Sequence, residues 1–164
     1  MDLGLAGRRA LVTGGSRGIG YAIARTFLQE GAQVTIVGQD AARLENSVAS
    51  LQAETGRRAT GQRVDLGERG AAERMLEPHR DIDILVNNAG SIPAGNIFDI
   101  DEDRWREAWD AKVFAYIGAT RAAMRHMRDH KRGGVILNVI GIGGEAPQWG
   151  YAAGSTGNAA LIAF

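Results

Sequence analysis

The residues Thr13-Gly14-Gly15-Ser16-Arg17-Gly18-Ile19-Gly20 follow a short apolar run, Ala10-Leu11-Val12, and open a helix-like segment, 21–30. A glycine-rich turn between a strand and a helix is a place to hold an anion. Gly14 permits the tight turn, Gly18 lets backbone come close to a diphosphate, and Gly20 allows the helix to pack closely on the strand. The helix behind them presents unpaired N–H groups and a partial positive charge at its N-terminus. The chemistry expected of this stretch is the grip of a dinucleotide.

The elements that must position this turn alternate along the chain, as in a parallel α/β sheet. Strands are expected at 8–12, 33–37, 59–64, 82–86 and 135–140. Helices are expected at 18–30, with Gly31 as its cap, at 41–55, and at 68–77, where Pro78 stops it. A long helix is expected from an Asp101 N-cap to about 128, and a last one over 151–164. The fold class is therefore a doubly wound, mostly parallel Rossmann-type sheet. The apolar run 159–164 carries no helix cap and points to a longer polypeptide, with the C-terminal strands of the sheet outside this chain.

The bulk composition narrows the function classes. The chain has 164 residues, with 45% hydrophobic, 23% charged and a formal net charge of zero. That suits one domain, 1–164, with a real core. A neutral balance gives no electrostatic case for nucleic acid or an anionic membrane. No apolar run approaches the roughly 20 residues of a spanning helix, and segment 1–9 lacks the apolar core of a signal peptide. A cytoplasmic location is expected. Cysteine is absent, so disulfides, thiol catalysis and Cys-type zinc sites are excluded. His79, His126 and His130 have no metal-ligand spacing, and no metal is expected.

Further residues carry a family resemblance. Asp65-Leu66 follows the third strand, Asn87-Asn88-Ala89-Gly90 follows the fourth, and Tyr151 starts the last helix. With Thr13 to Gly20 they resemble the short-chain dehydrogenase/reductase family, which moves hydride between NAD(P) and alcohols or carbonyls. The resemblance covers the whole chain. It implies that Gly14, Ser16, Arg17, Gly18, Ile19 and Gly20 line the diphosphate and adenosine ribose. It implies that Asp65 accepts from the adenine amino group beside Leu66. It also implies that Asn87, Ala89 and Gly90 support the ribose side and pin the sheet. A homo-oligomer, with Trp105 and Trp109 on the long helix at its interface, is a further implication.

An acid at the end of the second strand binds the ribose 2′-hydroxyl of NAD and repels a 2′-phosphate. Here Gly38 stands at that position and Gln39 follows it. Arg17 remains to pair with a 2′-phosphate. The reading is NADP, with NAD as the alternative through Asp40.

The resembled family works with an Asn in the long helix, a Ser after the fifth strand, and a Tyr followed four residues on by a Lys. Here Lys112, Gly141, Tyr151 and Ser155 fall on those positions. Ionising an unperturbed tyrosine at pH 7 takes roughly 4 kcal/mol, and Ser155 carries no charge to offset it. Losing the family's Ser removes an oxyanion donor, about 2.7–4 kcal/mol by analogy. Lys112 could return a positive charge to Tyr151 from another helix, or be an ordinary surface lysine. The leading expectation is reduction of a small carbonyl, or the reverse oxidation of an alcohol, with Tyr151 as proton donor and Lys112 and Ser155 beside it. The alternative is a non-catalytic dinucleotide-binding sensor or scaffold.

Overall fold

A computed structural model describes residues 3–130 and 133–164. Five strands form one sheet: β1 (Arg9–Thr13), β2 (Gln33–Gly38), β3 (Ala59–Arg63), β4 (Ile84–Asn87) and β5 (Val135–Asn138). Their order is β3-β2-β1-β4-β5, and every pairing is parallel. The central strands are apolar on both faces. Leu11, Val12, Leu85 and Val86 are all nearly or fully buried, as a sheet covered on both sides requires.

One cover is built by α1 (Gly18–Gln29) and α2 (Ala41–Thr55). Ala24 and Leu28 of α1 and Leu44 and Leu51 of α2 meet Val12, Ile36 and Val86 there. Gly31 ends α1 at φ +87°, with its N–H on the Leu28 carbonyl and the Ala32 N–H on that of Phe27. That pattern closes the last turn of a helix and suits glycine.

The other cover holds α3 (Ala71–Leu76) and α5 (Ala115–Asp129). Met75, Leu76, Ala119 and Ala123 pack there on Leu11 and Leu85. Asp101 caps α4 (Glu102–Trp109), accepting from the Arg104 N–H at 2.8 Å.

The long helix expected from 101 to about 128 is present, from Glu102 to Asp129, but it is not one uniform α-helix. Between α4 and α5 the chain makes a π-helical turn, Asp110–Phe114. There the Ala115 N–H reaches the Asp110 carbonyl, five residues back. One extra residue is looped into the helix, and Lys112 sits inside that widened turn. Such π-bulges are rare and cluster at functional sites. After β5, a short 3-10 turn (Ile142–Gly144) leads to α6 (Ala152–Ala163). Ala153 and Leu161 of α6 join two apolar clusters that also contain Ala108, Val113 and Tyr116.

The strand order reverses between β1 and β4. In open parallel sheets a crevice forms beyond the carboxyl ends of the strands at that reversal, and ligands bind in it. The glycine-rich turn after β1 and Asn87 to Gly90 after β4 therefore lie side by side.

Candidate active site

Thr13 and Asn88 tie these two turns together. The Thr13 hydroxyl donates to the Val86 carbonyl at 3.2 Å and accepts from the N–H groups of Asn88 and Ala89 at 2.9 and 3.0 Å. The Asn88 amide donates to the carbonyls of Thr13 and Gly14 at 3.0 and 3.2 Å. The sequence reading gave neither side chain a role. Their signal was the pairing of a threonine at one strand end with an asparagine at the next.

The glycines then divide by role. A Cβ on Gly20 would collide with the Gly14 carbonyl and come 2.5 Å from the Asn88 amide nitrogen, so α1 packs flush on the turn. Gly14 has φ +63° and meets Ala89 Cα at 2.9 Å in the same sense. Gly18, at φ +56°, has nothing within 4 Å of where a side chain would stand. It faces open space at the start of α1, beside exposed Arg17 and Ile19. The first turn of α1 has no acidic side chain and no side-chain cap. Its N–H groups are left for an anion. This cradle fits a diphosphate.

At the end of β2 the residues are pinned by one another. The Ser47 hydroxyl donates to the Ser16 carbonyl at 2.8 Å. A Cβ on Gly38 would stand 3.3 Å from Ser16 Oγ. The Gln39 amide donates to Asp65 Oδ2 at 2.6 Å, and Arg63 Nε donates to the Gln39 carbonyl at 3.1 Å. Asp65 Oδ1 also accepts from the Gly67 N–H at 2.9 Å, so Asp65 shapes its own turn. Leu66 packs inward on the α3 side. Asp40 caps α2 by accepting from the Arg43 N–H at 2.9 Å, and Arg43 adds an ion pair at 3.3 Å. The N–H bond and that guanidinium hold its carboxyl below the usual range. Asp40 is thus engaged in its helix. Arg63, which the sequence reading did not single out, brings a further cation to this edge.

Asn87 holds the sheet. Its buried amide donates to Thr120 Oγ1 at 3.1 Å and to Asn138 Oδ1 at 2.9 Å, joining β4 to α5 and β5. Gly90, at φ +125°, lies against Lys112, whose Cβ and Cγ would be 2.7 and 2.9 Å from a side chain there. Lys112 is 9% exposed, not a surface lysine. It forms no ion pair with the described residues. Burial alone lowers its affinity for a proton below the usual lysine value.

Tyr151 is half-buried immediately before α6, with φ −143° and ψ 45°. A backbone bridge to Gly95 fixes it, the Ala152 N–H donating to the Gly95 carbonyl at 3.0 Å. Its ring joins Ile92, Ile100, Trp105 and Trp109, and lies across Gly154. Ser155 is buried and its hydroxyl accepts from the Gln148 N–H at 3.2 Å. It steadies the loop before Tyr151. Gly141 donates its N–H to Asn158 Oδ1 at 3.3 Å. Asn158 is 1% exposed. The sequence reading passed over it, although a polar residue in an apolar helix was a signal. Trp109 Nε1 donates to the Ala153 carbonyl at 3.1 Å, so Trp109 anchors α6 within the fold.

A strand-reversal crevice and a glycine-built anion cradle together define a dinucleotide-binding α/β protein. Residues 8–164 match the family described as short chain dehydrogenase, and the chain belongs to it. It is 36% identical over 171 residues to the 3-oxoacyl-[acyl-carrier-protein] reductase FabG of Chlamydia pneumoniae, covering 100% of this chain and 67% of that protein. It is 34% identical over 163 residues to human dehydrogenase/reductase SDR family member 4, covering 96% and 58%. Among solved structures, L-sorbose reductase from Gluconobacter frateurii, complexed with NADPH and L-sorbose, superposes with a TM-score of 0.93 at 33% identity, over 100% of this chain and 64% of that one. The chain thus spans 58–67% of the length of these relatives. No helix among the described residues is long and apolar enough to cross a membrane.

Proposed function

We propose that the protein is an NADPH-dependent oxidoreductase that reduces a small carbonyl compound, with Tyr151 as proton donor and Lys112 as the cation of the site. The observation that carries this is the cradle: Gly18 open at positive φ, at the start of a helix with no acidic first turn. Bound NADPH would supply the hydride. The turn Gly14, Ser16, Arg17, Gly18, Ile19 and Gly20 holds its diphosphate. Arg17 and Arg63 meet the 2′-phosphate, Gly38 leaving no acid to repel it. Asp65 and Leu66 border the adenine, and Ala89 and Gly90 the nicotinamide ribose.

Tyr151 gives its phenolic proton to the oxygen that turns anionic as the carbonyl is reduced. A neutral phenol does this without first ionising, so reduction is favoured over alcohol oxidation. Lys112, desolvated against Gly90, supplies positive charge where that oxyanion forms. Ser155 holds the Gln148 loop that sets Tyr151.

A homo-oligomer is part of this reading. A cavity of about 1010 Å³, lined by Leu66, Trp105, Phe114 and Arg121 among others, opens on the α4–α5 face, and Phe114 there is 57% exposed. A cytoplasmic location fits a reductase working on the cell's NADPH pool. Calorimetric titration with NADPH and NADH, followed by nicotinamide absorbance with a panel of ketones and aldehydes, tests the assignment. NADPH binding with turnover is expected. Tight binding with no turnover on any carbonyl would instead indicate a sensor.

A further inference from the structure

Glycine inside a helix is destabilising relative to alanine, so Gly154, in the first turn of α6, calls for a reason. The space its side chain would fill is taken by the ring of Tyr151, whose Cζ, Cε1 and Cε2 are the nearest atoms to it. Tyr151 stands outside the helix with extended-side φ. Its side chain is therefore free of the backward lean that helical residues have, and it runs forward over the next turn. The end that reaches Gly154 is the end that carries the hydroxyl.

Asn158 lies one turn beyond Gly154 on the same face. As a helical residue it leans back toward Gly154. Its Oδ1 accepts from the Gly141 N–H, and its Nδ2 has no hydrogen-bond partner among the described residues. A Cβ on Gly141 would stand 2.8 Å from that same Nδ2. Two glycines thus clear room for two polar side chains on one stripe of α6, and a Cβ on Gly143 would stand 3.5 Å from Tyr151 Cδ1 and 3.8 Å from Asn158 Nδ2.

We propose that Gly154 is a positioning residue for proton transfer: its missing side chain is the path by which the Tyr151 phenol reaches along α6 toward the Asn158 amide. The reacting centre then lies one helical turn deeper than the Tyr151 backbone. This role rests on Tyr151 being the proton donor.

Melting temperatures test the geometry. Gly154→Ala lowers the melting temperature when Tyr151 is present, and raises it in a Tyr151→Ala background, where only helix propensity remains. Failure of Gly154→Ala to fold, with recovery in Tyr151→Ala/Gly154→Ala, supports the same conclusion. A rise in both backgrounds overturns it.

A titration tests the reach. In protein carrying ¹³Cζ-tyrosine, assigned with Tyr151→Phe, Asn158→Asp keeps the acceptor for the Gly141 N–H and adds a negative charge. It moves the Tyr151 titration upward by about one pH unit or more, and Gly154→Ala abolishes that shift. No shift in the parent, or an equal shift with Gly154→Ala, overturns the placement. Carbonyl turnover unchanged by Tyr151→Phe overturns the proton-donor reading separately, whatever the melting temperatures show.

Discussion

The two ends of the crevice are built on different terms. On the β1–α1 side each unusual residue is matched by a contact. Gly14 and Gly20 are flush against Asn88, Thr13 gathers three backbone groups, and only Gly18 is left open. On the α4–α6 side the polar side chains are set against glycines instead. Lys112 lies against Gly90, Asn158 against Gly141, and Tyr151 against Gly154. A glycine stands opposite each bulky polar residue there, while Lys112 has no ion pair and Asn158 Nδ2 no hydrogen-bond partner among the described residues.

The sharpest way to break the first side is Gly20→Val. Its Cβ alone would strike the Gly14 carbonyl and the Asn88 amide. Overpacking of this kind costs about 1–3 kcal/mol, and here it also deforms the cradle. NADPH affinity should fall by about a hundredfold, read by calorimetry, with the urea midpoint lowered.

The corresponding cut on the second side is Tyr151→Phe. It should lower kcat for carbonyl reduction by about 10²–10⁴, the range for a general acid, with NADPH affinity unchanged. Equal loss of affinity would mean that the two sides are not separable.

Lys112→Met comes next. Burial holds the folded-state lysine below its ordinary value of 10.5. The unfolded chain therefore binds the extra proton more readily, and the parent gains stability as pH rises through the folded value toward 10.5. At neutral pH the charge is a burden, so Lys112→Met should raise the melting temperature, with the gain shrinking toward pH 10.5. The same variant should slow turnover. A gain in stability with unchanged turnover would reduce Lys112 to a packing residue.

The smallest effect concerns cofactor choice. Asp40→Ala removes the α2 cap and should cost about 1 kcal/mol of stability, checked by urea unfolding. The ratio of NADPH to NADH affinity should stay the same, because Asp40 is tied to Arg43.

Much of the cofactor side was legible in the sequence because it depends on local backbone chemistry. A strand, three spaced glycines and a helix predict one turn, and Gly31 and Asp101 announce their caps. The parallel sheet followed from alternating elements. Other features depended on contacts between distant segments. The π-turn at Asp110–Phe114 leaves the apolar spacing of a helix almost intact, so periodicity read a single long helix there. Asn88 and Asn158 earn their roles only when β1 meets β4 and the Gly141 turn meets α6. Asp65 and Ser155 show the converse. Each stands where the pattern implies a ligand, and each makes a local loop contact that spacing alone does not reveal.

On the proposed function, the amides at the start of α1 hold the diphosphate of a bound coenzyme. Calorimetry of NADPH against folded protein, beside the Gly20→Val variant, addresses it most directly. Saturable heat in the parent that collapses in the variant is the predicted result. No heat with NADPH or NADH in the parent, or equal affinity in both proteins, would contradict it.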